Sequence, residues 1–185
     1  MEKELLADAK HRMDKAVEAV KTEFTTVRSG RASIGLLDRI HVDYYGTPTP
    51  LNQMANVAAP EPRLVTVQPY DKTAMKSIEK AIMESDLGLN PSNDGTVIRL
   101  PIPSLTEERR KELVKLVHRL SEDGRIAVRN VRRDCMKDLK ELVHDGEVGE
   151  DAEKRAEKAL QELTDEHVHK VDEMLKHKEA EILEV

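Results

Sequence analysis

Three stretches of the chain repeat apolar residues at alternating steps of three and four. The first runs through Leu6, Ala9, Met13, Val17, Val20, Phe24 and Val27, and the second through Leu113, Val117, Leu120, Gly124, Val128, Val131, Cys135, Leu139 and Leu142. The third contains Ala152, Ala156, Ala159, Leu163, His167, Val171, Met174 and Ile182. This spacing collects each set on one face of an α-helix and makes a seam for packing on other helices, as in a bundle or coiled coil. Ser104-Leu-Thr-Glu107, following Pro101 and Pro103, reads as a capping box that starts the second helix. Asp145-Gly146 predicts its end. Gly149 is then placed to cap a third helix, with Glu150 and Asp151 at the positive end of its dipole.

Residues 31 to 105 follow another rule. Ile40 to Tyr44 alternates as a strand does, Gly46 to Pro50 reads as a turn, and Leu64 to Gln68 as a second strand. Lys72 to Ser85 predicts a short helix with Met75, Ile78 and Ile82 on one face. Asn90 to Gly95 reads as a loop and Thr96 to Leu100 as a returning strand. The expected class is α+β. Residues 1–30 and 105–185 form an elongated three-helix bundle, and residues 31–104 a small inserted β/α/β domain. The two connections, near 29–32 and 101–106, are side by side and predict a hinge. Gly30 supplies rotation there, and Pro101 and Pro103 limit it.

Composition sharpens this picture. Charged residues make up 36% of the 185, with three Tyr, one Phe and no Trp. So few aromatics argue against a large β-sandwich core and against a base-stacking platform. The lone Cys135 excludes an internal disulfide and fits a reducing compartment. The charged amino terminus is unlike a signal or transit peptide, and no apolar run approaches the roughly 20 residues that span a bilayer. A cytoplasmic protein without membrane contact is expected.

The formal net charge is −6, yet cations are concentrated. From Thr106 to Arg133 there are nine Lys/Arg against five Asp/Glu, whereas from Asp145 to Val185 there are six against fourteen. On a helix, Arg125, Arg129 and Arg132 share a face with Arg133 beside them, and Arg110, Lys111 and His118 fall on the same side. This ridge lies roughly 120° from the apolar seam, with Glu122 as its acidic interruption. Four close guanidinium groups suit an extended anion, and phosphate matches their planar fork. The bland alternative is a solvated face without a partner. Lacking a base-reading motif, the ridge reads as a shape and phosphate reader of structured RNA.

Enzyme signatures are missing, so neither catalysis nor a cofactor is expected. His167 and His169 are two apart and point to different sides, a poor metal pair, and no metal is expected. His167 and Cys135 read as packing residues on their seams. Tyr44-Tyr45 reads as half-buried strand aromatics, with a binding surface as the alternative. Gly124, costly within a helix, implies either close helix approach or a flexible point.

Five motifs carry a family resemblance: Arg28-Ser-Gly-Arg-Ala-Ser33, Tyr44-Tyr-Gly-Thr-Pro-Thr-Pro-Leu51, Ser85-Asp-Leu-Gly-Leu-Asn-Pro91, Leu105-Thr-Glu-Glu-Arg-Arg-Lys111 and Ala127-Val-Arg-Asn-Val-Arg-Arg-Asp134. From end to end the chain resembles bacterial ribosome recycling factors. The resemblance implies an L-shaped two-domain architecture and action on the 70S ribosome after termination. With elongation factor G and GTP, such a factor splits the ribosome into subunits and frees mRNA and tRNA, in functional cooperation with initiation factor three. It implies a monomer that contacts large-subunit ribosomal RNA through Arg110, Arg129, Arg132 and Arg133, with Lys111 and Arg125 as neighbours. It also places a hinge at Ser29, Gly30, Arg31, Pro101, Pro103, Ser104 and Leu105. The rival reading is a helical adaptor or chaperone that binds an acidic protein through the same arginines.

Overall fold

Each apolar seam becomes one long helix in the computed structural model, which describes residues 1–184. These are α1 (Glu2–Thr26), followed after an insertion by α4 (Glu107–His144) and α5 (Glu150–Leu183). At 1.5 Å per residue, the 38 residues of α4 extend roughly 57 Å. The chain divides into two compact units, Met1–Ser29 with the chain from Thr106 onward, and Gly30–Leu105.

In the helical unit α1, α4 and α5 all pack on one another. Met13 of α1, Val128 and Leu139 of α4, and Leu160 of α5 are fully buried in a shared core. Burying such a side chain contributes about 1.5–3 kcal/mol each. Cys135 is buried there as a small apolar group, and the surrounding low dielectric pushes its thiol pKa up.

Gly124 of α4 faces side chains of both other helices. A Cβ built on it would stand 2.2 Å from Val20 Cγ2 of α1 and 3.9 Å from Val171 Cγ1 of α5. The glycine therefore serves close approach, which outweighs the roughly 1 kcal/mol it costs a helix.

His167 ties α5 to α1. Its ring is fully buried. Nδ1 lies 2.7 Å from the Leu163 carbonyl and Nε2 2.7 Å from Asp14 Oδ1. Both partners are hydrogen-bond acceptors, so each ring nitrogen faces an oxygen. Lys10 donates to the other Asp14 oxygen at 2.9 Å. The Lys10 and His167 bonds lower the Asp14 carboxyl from 3.8 to about 2.

Helix ends follow local chemistry. α1 stops at Thr26, short of Ser29-Gly30, because the Thr25 and Thr26 hydroxyls turn back onto the Thr22 and Glu23 carbonyls and Val27 is extended. α4 is capped by Thr106, whose hydroxyl accepts from Arg109 N at 3.2 Å; the cap expected at Ser104 lies two residues upstream, outside any helix or strand. Gly149 caps α5, and Glu150, Asp151 and Glu153 occupy its first turn.

The inserted unit holds two antiparallel sheets. β1 (His41–Tyr44) pairs with β2 (Thr47–Pro50) through a two-residue turn at Tyr45-Gly46, where φ is 50° and 81°, as a type I′ hairpin requires. β2 takes the place of the expected turn at Gly46 to Pro50. Pro48 and Pro50 are tolerated because a two-stranded sheet is all edge. The single turn α2 (Leu51–Met54) leads to β3 (Ala55–Glu61), a strand whose alanines and proline hid it from the pattern reading. With β4 (Leu64–Pro69), β5 (Ser92–Asn93) and β6 (Ile98–Pro101), it forms a sheet of order β3-β4-β6-β5. α3 (Met75–Glu84) lays Met75, Ile78 and Ile82 into the core made by Val65, Val67 and Leu100.

Gly124→Ala should destabilise the bundle by about 1–2 kcal/mol, overpacking against Val20 outweighing the gain in helix propensity. Adding Val20→Ala should recover part of that loss; urea unfolding with no loss for the single variant would refute close approach. Asp14 carries a depressed folded pKa, so its contribution is full above 3.8 and is lost as pH falls through about 2. Asp14→Asn should therefore lower stability at neutral pH and flatten its decline below pH 4. Equal acid limbs for the two proteins in denaturation at a series of pH values would contradict this.

Candidate nucleic-acid interface

The basic residues of α4 divide into two rows. Arg125 and Arg132 are two turns apart on one edge, and the Arg125 bond to Asp172 shows that this edge faces α5. Arg110 is five turns from the buried Val128, and so falls close to the line of the seam itself. These three arginines are half-buried, whereas Lys111, His118, Arg129 and Arg133 are exposed.

Pairing separates them further. Arg125 is the most committed. It donates from Nε to Glu122 Oε2 at 2.9 Å and from Nη1 to Asp172 Oδ1 at 2.7 Å, with its side chain only 16% exposed. Burial pulls its pKa down, but the bonds to Glu122 and Asp172 outweigh burial and raise it. Arg129 lies 3.6 Å from Glu122 Oε1, an ion-pair distance beyond a good hydrogen bond. Lys111 pairs with Glu107 at 3.4 Å, and His118 with Glu179 of α5 at 3.2 Å.

Arg110, Arg132 and Arg133 have no carboxylate within 4 Å among the described residues. Nε of Arg110 and of Arg132 is closed off from solvent with no acceptor. Packing rather than ion pairing holds these two guanidinium groups, an arrangement that costs free energy unless an anion completes it. Lys115 and Arg119, passed over in the sequence reading, are exposed on the outer side of α4 and widen its basic face. The signal for them was present in the helical wheel, but Arg119 falls outside the ridge as drawn.

The connecting segments have distinct placements. Gly30 has φ of 77°, and a Cβ there would meet Leu105 Cγ at 2.9 Å. Pro101 closes β6 opposite Leu64 and so belongs to the sheet. Ala32 N donates to Pro62 O at 2.7 Å and Ile102 N to Arg63 O at 2.8 Å, which tie both connections to the turn between β3 and β4. Ser29, Gly30 and Pro103 to Leu105 take no part in those two bonds.

The tyrosine pair splits. Tyr44 is half-buried and donates to Asp71 Oδ2 at 3.0 Å, while Tyr45 packs edge-on against it and is 84% exposed. Among the described residues no His, Cys, Asp or Glu cluster is arranged to hold a metal, and no helix is long and apolar enough to cross a membrane.

A helical bundle with a basic, partly unpaired face and an inserted α/β unit is the class of protein that the fold and site define. Within that class, residues 20–183 match the family model for ribosome recycling factor. A ribosome-recycling factor from Rubrobacter xylanophilus is 57% identical over 180 residues, 97% of each chain, and one from Geobacillus kaustophilus is 55% identical over the whole of both. A solution structure of a ribosome recycling factor, 41% identical, superposes with a TM-score of 0.74 over 100% of this chain and 98% of that one. A T. thermophilus ribosome recycling factor is 48% identical, with 99% of each chain covered and a TM-score of 0.64. That relative is described together with the E. coli elongation factor G, bound to the E. coli post-termination complex. The chain belongs to the ribosome recycling factor family.

Arg125→Ala should cost the bundle about 1–2 kcal/mol, since it removes charge-assisted bonds between α4 and α5 that are partly screened by solvent. Arg133→Ala should stay within about 0.5 kcal/mol of wild type. Chemical unfolding that gave equal costs would show the basic face to be energetically uniform.

Proposed function

We propose that this protein recycles ribosomes without catalysing a covalent step. The basic face of α4 docks on large-subunit ribosomal RNA through phosphates, and elongation factor G, drawing on GTP, drives the protein against contacts between the subunits. The observation that carries this reading is the gathering of Arg110, Arg132 and Arg133 on α4 without carboxylate partners among the described residues, the first two with Nε closed off from solvent and lacking an acceptor. Arg110 and Arg132 thereby stand apart from the solvated cations of the bundle. Phosphate completes them by the same bidentate geometry as carboxylate. The 48% identical relative, described with elongation factor G on a post-termination complex, supports the choice of partner.

The protein acts as a monomer in the cytoplasm, and initiation factor three then helps to clear the small subunit. Arg129 and Lys111 join the contact on displacing their loosely held carboxylates. Ser29 to Arg31 and Pro103 to Leu105 flex, whereas Pro101 moves with its sheet.

Light scattering of post-termination ribosomes should fall only when this protein, elongation factor G and GTP are all present. Arg132→Ala should weaken ribosome binding and reduce the slope of log K against log salt by about 0.7–0.9, the share of one phosphate contact. Unchanged scattering with a cognate elongation factor would overturn recycling and favour an adaptor that binds an acidic protein.

A further inference from the structure

Glu122 is the acid embedded in the basic face, and its two oxygens are treated differently. Oε2 receives Arg125 Nε at 2.9 Å and lies 2.9 Å from Nη2 of the same residue. Oε1, which Arg125 leaves uncovered, stands 3.6 Å from Arg129 Nη1. Arg125 is simultaneously bonded at 2.7 Å to Asp172, a carboxylate of α5 on the same edge. Spacings of three and seven residues put Glu122 within reach of Arg125 and Arg129 together. Arg125 is 16% exposed, while Arg129 is 53% exposed.

Carboxylate and phosphate compete for a guanidinium fork, and an intramolecular competitor has the advantage of high effective concentration. Were Arg125 absent, Glu122 would be free to close on Arg129 in a short bond, and Asp172 would face the approaching backbone uncompensated. We propose that Arg125 is a positioning residue that never touches RNA: by pinning Glu122 and Asp172 it keeps Arg129 available to phosphate. This inference rests on the RNA-docking reading above and changes the role of one residue within it. By its position on the helix alone, Arg125 is one more cation on the ridge. Its geometry makes it instead the guard that prevents the ridge from satisfying itself.

A direct contact and a guard respond differently to Glu122. Loss of a direct contact is indifferent to that carboxylate, whereas loss of a guard is repaired by neutralising it. The test is equilibrium binding of the full-length protein to vacant ribosomes at several salt concentrations. Arg125→Met, which keeps the buried stem, should weaken binding roughly tenfold, as for one lost charge-assisted contact. Adding Glu122→Gln should restore affinity to within about threefold of wild type. Adding Asp123→Asn instead produces the same net charge, but Asp123 lies off the ridge, and no recovery is expected.

Equal behaviour of the two double variants would reduce the effect to net charge, and no recovery with Glu122→Gln would make Arg125 a direct contact or a purely structural brace; either overturns the proposal. Should Arg125→Met unfold, Arg125→Lys replaces it, since it holds charge but cannot fork to both carboxylates, and the same selective rescue is required. Arg132→Ala separates this inference from its foundation. Wild-type affinity for Arg132→Ala would remove the RNA-docking reading itself. Weakened Arg132→Ala without rescue at Glu122 would remove only the guard.

Discussion

The bundle depends on a point where one side chain is missing. Val20 of α1 occupies the space that a Cβ on Gly124 of α4 would fill, with Val171 of α5 alongside. Interiors pack at crystal-like density, so such a contact sets the distance between helices over the neighbouring turns. Everything else on α4 is placed relative to this point. The buried edge of Arg125, one residue beyond Gly124, reaches Asp172, one residue beyond Val171. The close contact and the ion pair thus fix the same level of the bundle. Packing decides where the charges stand, and charge then decides which of them remain open to a partner.

Part of the charge on this chain is cancelled locally, within single helices. Pairs at i and i+4, such as Lys10 with Asp14, Lys80 with Glu84 and Lys170 with Glu166, cover the helix surfaces. Each is exposed and contributes little to stability, typically a few tenths of a kcal/mol. Their larger effect is to leave the uncancelled charges conspicuous. On α4, among the described residues, these are Arg110, Arg132 and Arg133, with Lys115, Arg119 and Lys140 also lacking a carboxylate partner. A net charge of −6 is compatible with anion binding because the surplus acids reside mostly toward the C-terminal helix.

Periodicity made the three long helices legible, since seams of nine or so apolar residues leave little ambiguity of type. Their ends were less so. Two adjacent threonines stopped α1 early, and Thr106 won the cap from Ser104, because competition among neighbouring hydroxyls depends on backbone direction. The small sheets were half-legible. Val65, Val67 and Ile98 advertised their strands, but β3 is built on alanine and β2 on proline, residues that serve as strands only because partners and edges permit it. At the ridge, sequence placed the arginines on one side of a helix but could not say which were spoken for. Asp172 lies 47 residues from Arg125, and no local pattern announces such a pairing.

The ties of Ala32 to Pro62 and of Ile102 to Arg63 bring the entry and exit of the inserted unit to one turn, with Gly30 and Leu105 in contact. Topologically, α1 and α4 are separated by 80 residues. Kinetically they need not be. Once the inserted unit has folded, its two ends are already pinned together, and the long loop between the helices behaves as a short one. Loop-closure entropy for the bundle is then spent in advance, and helices remote in sequence meet at the rate of near neighbours.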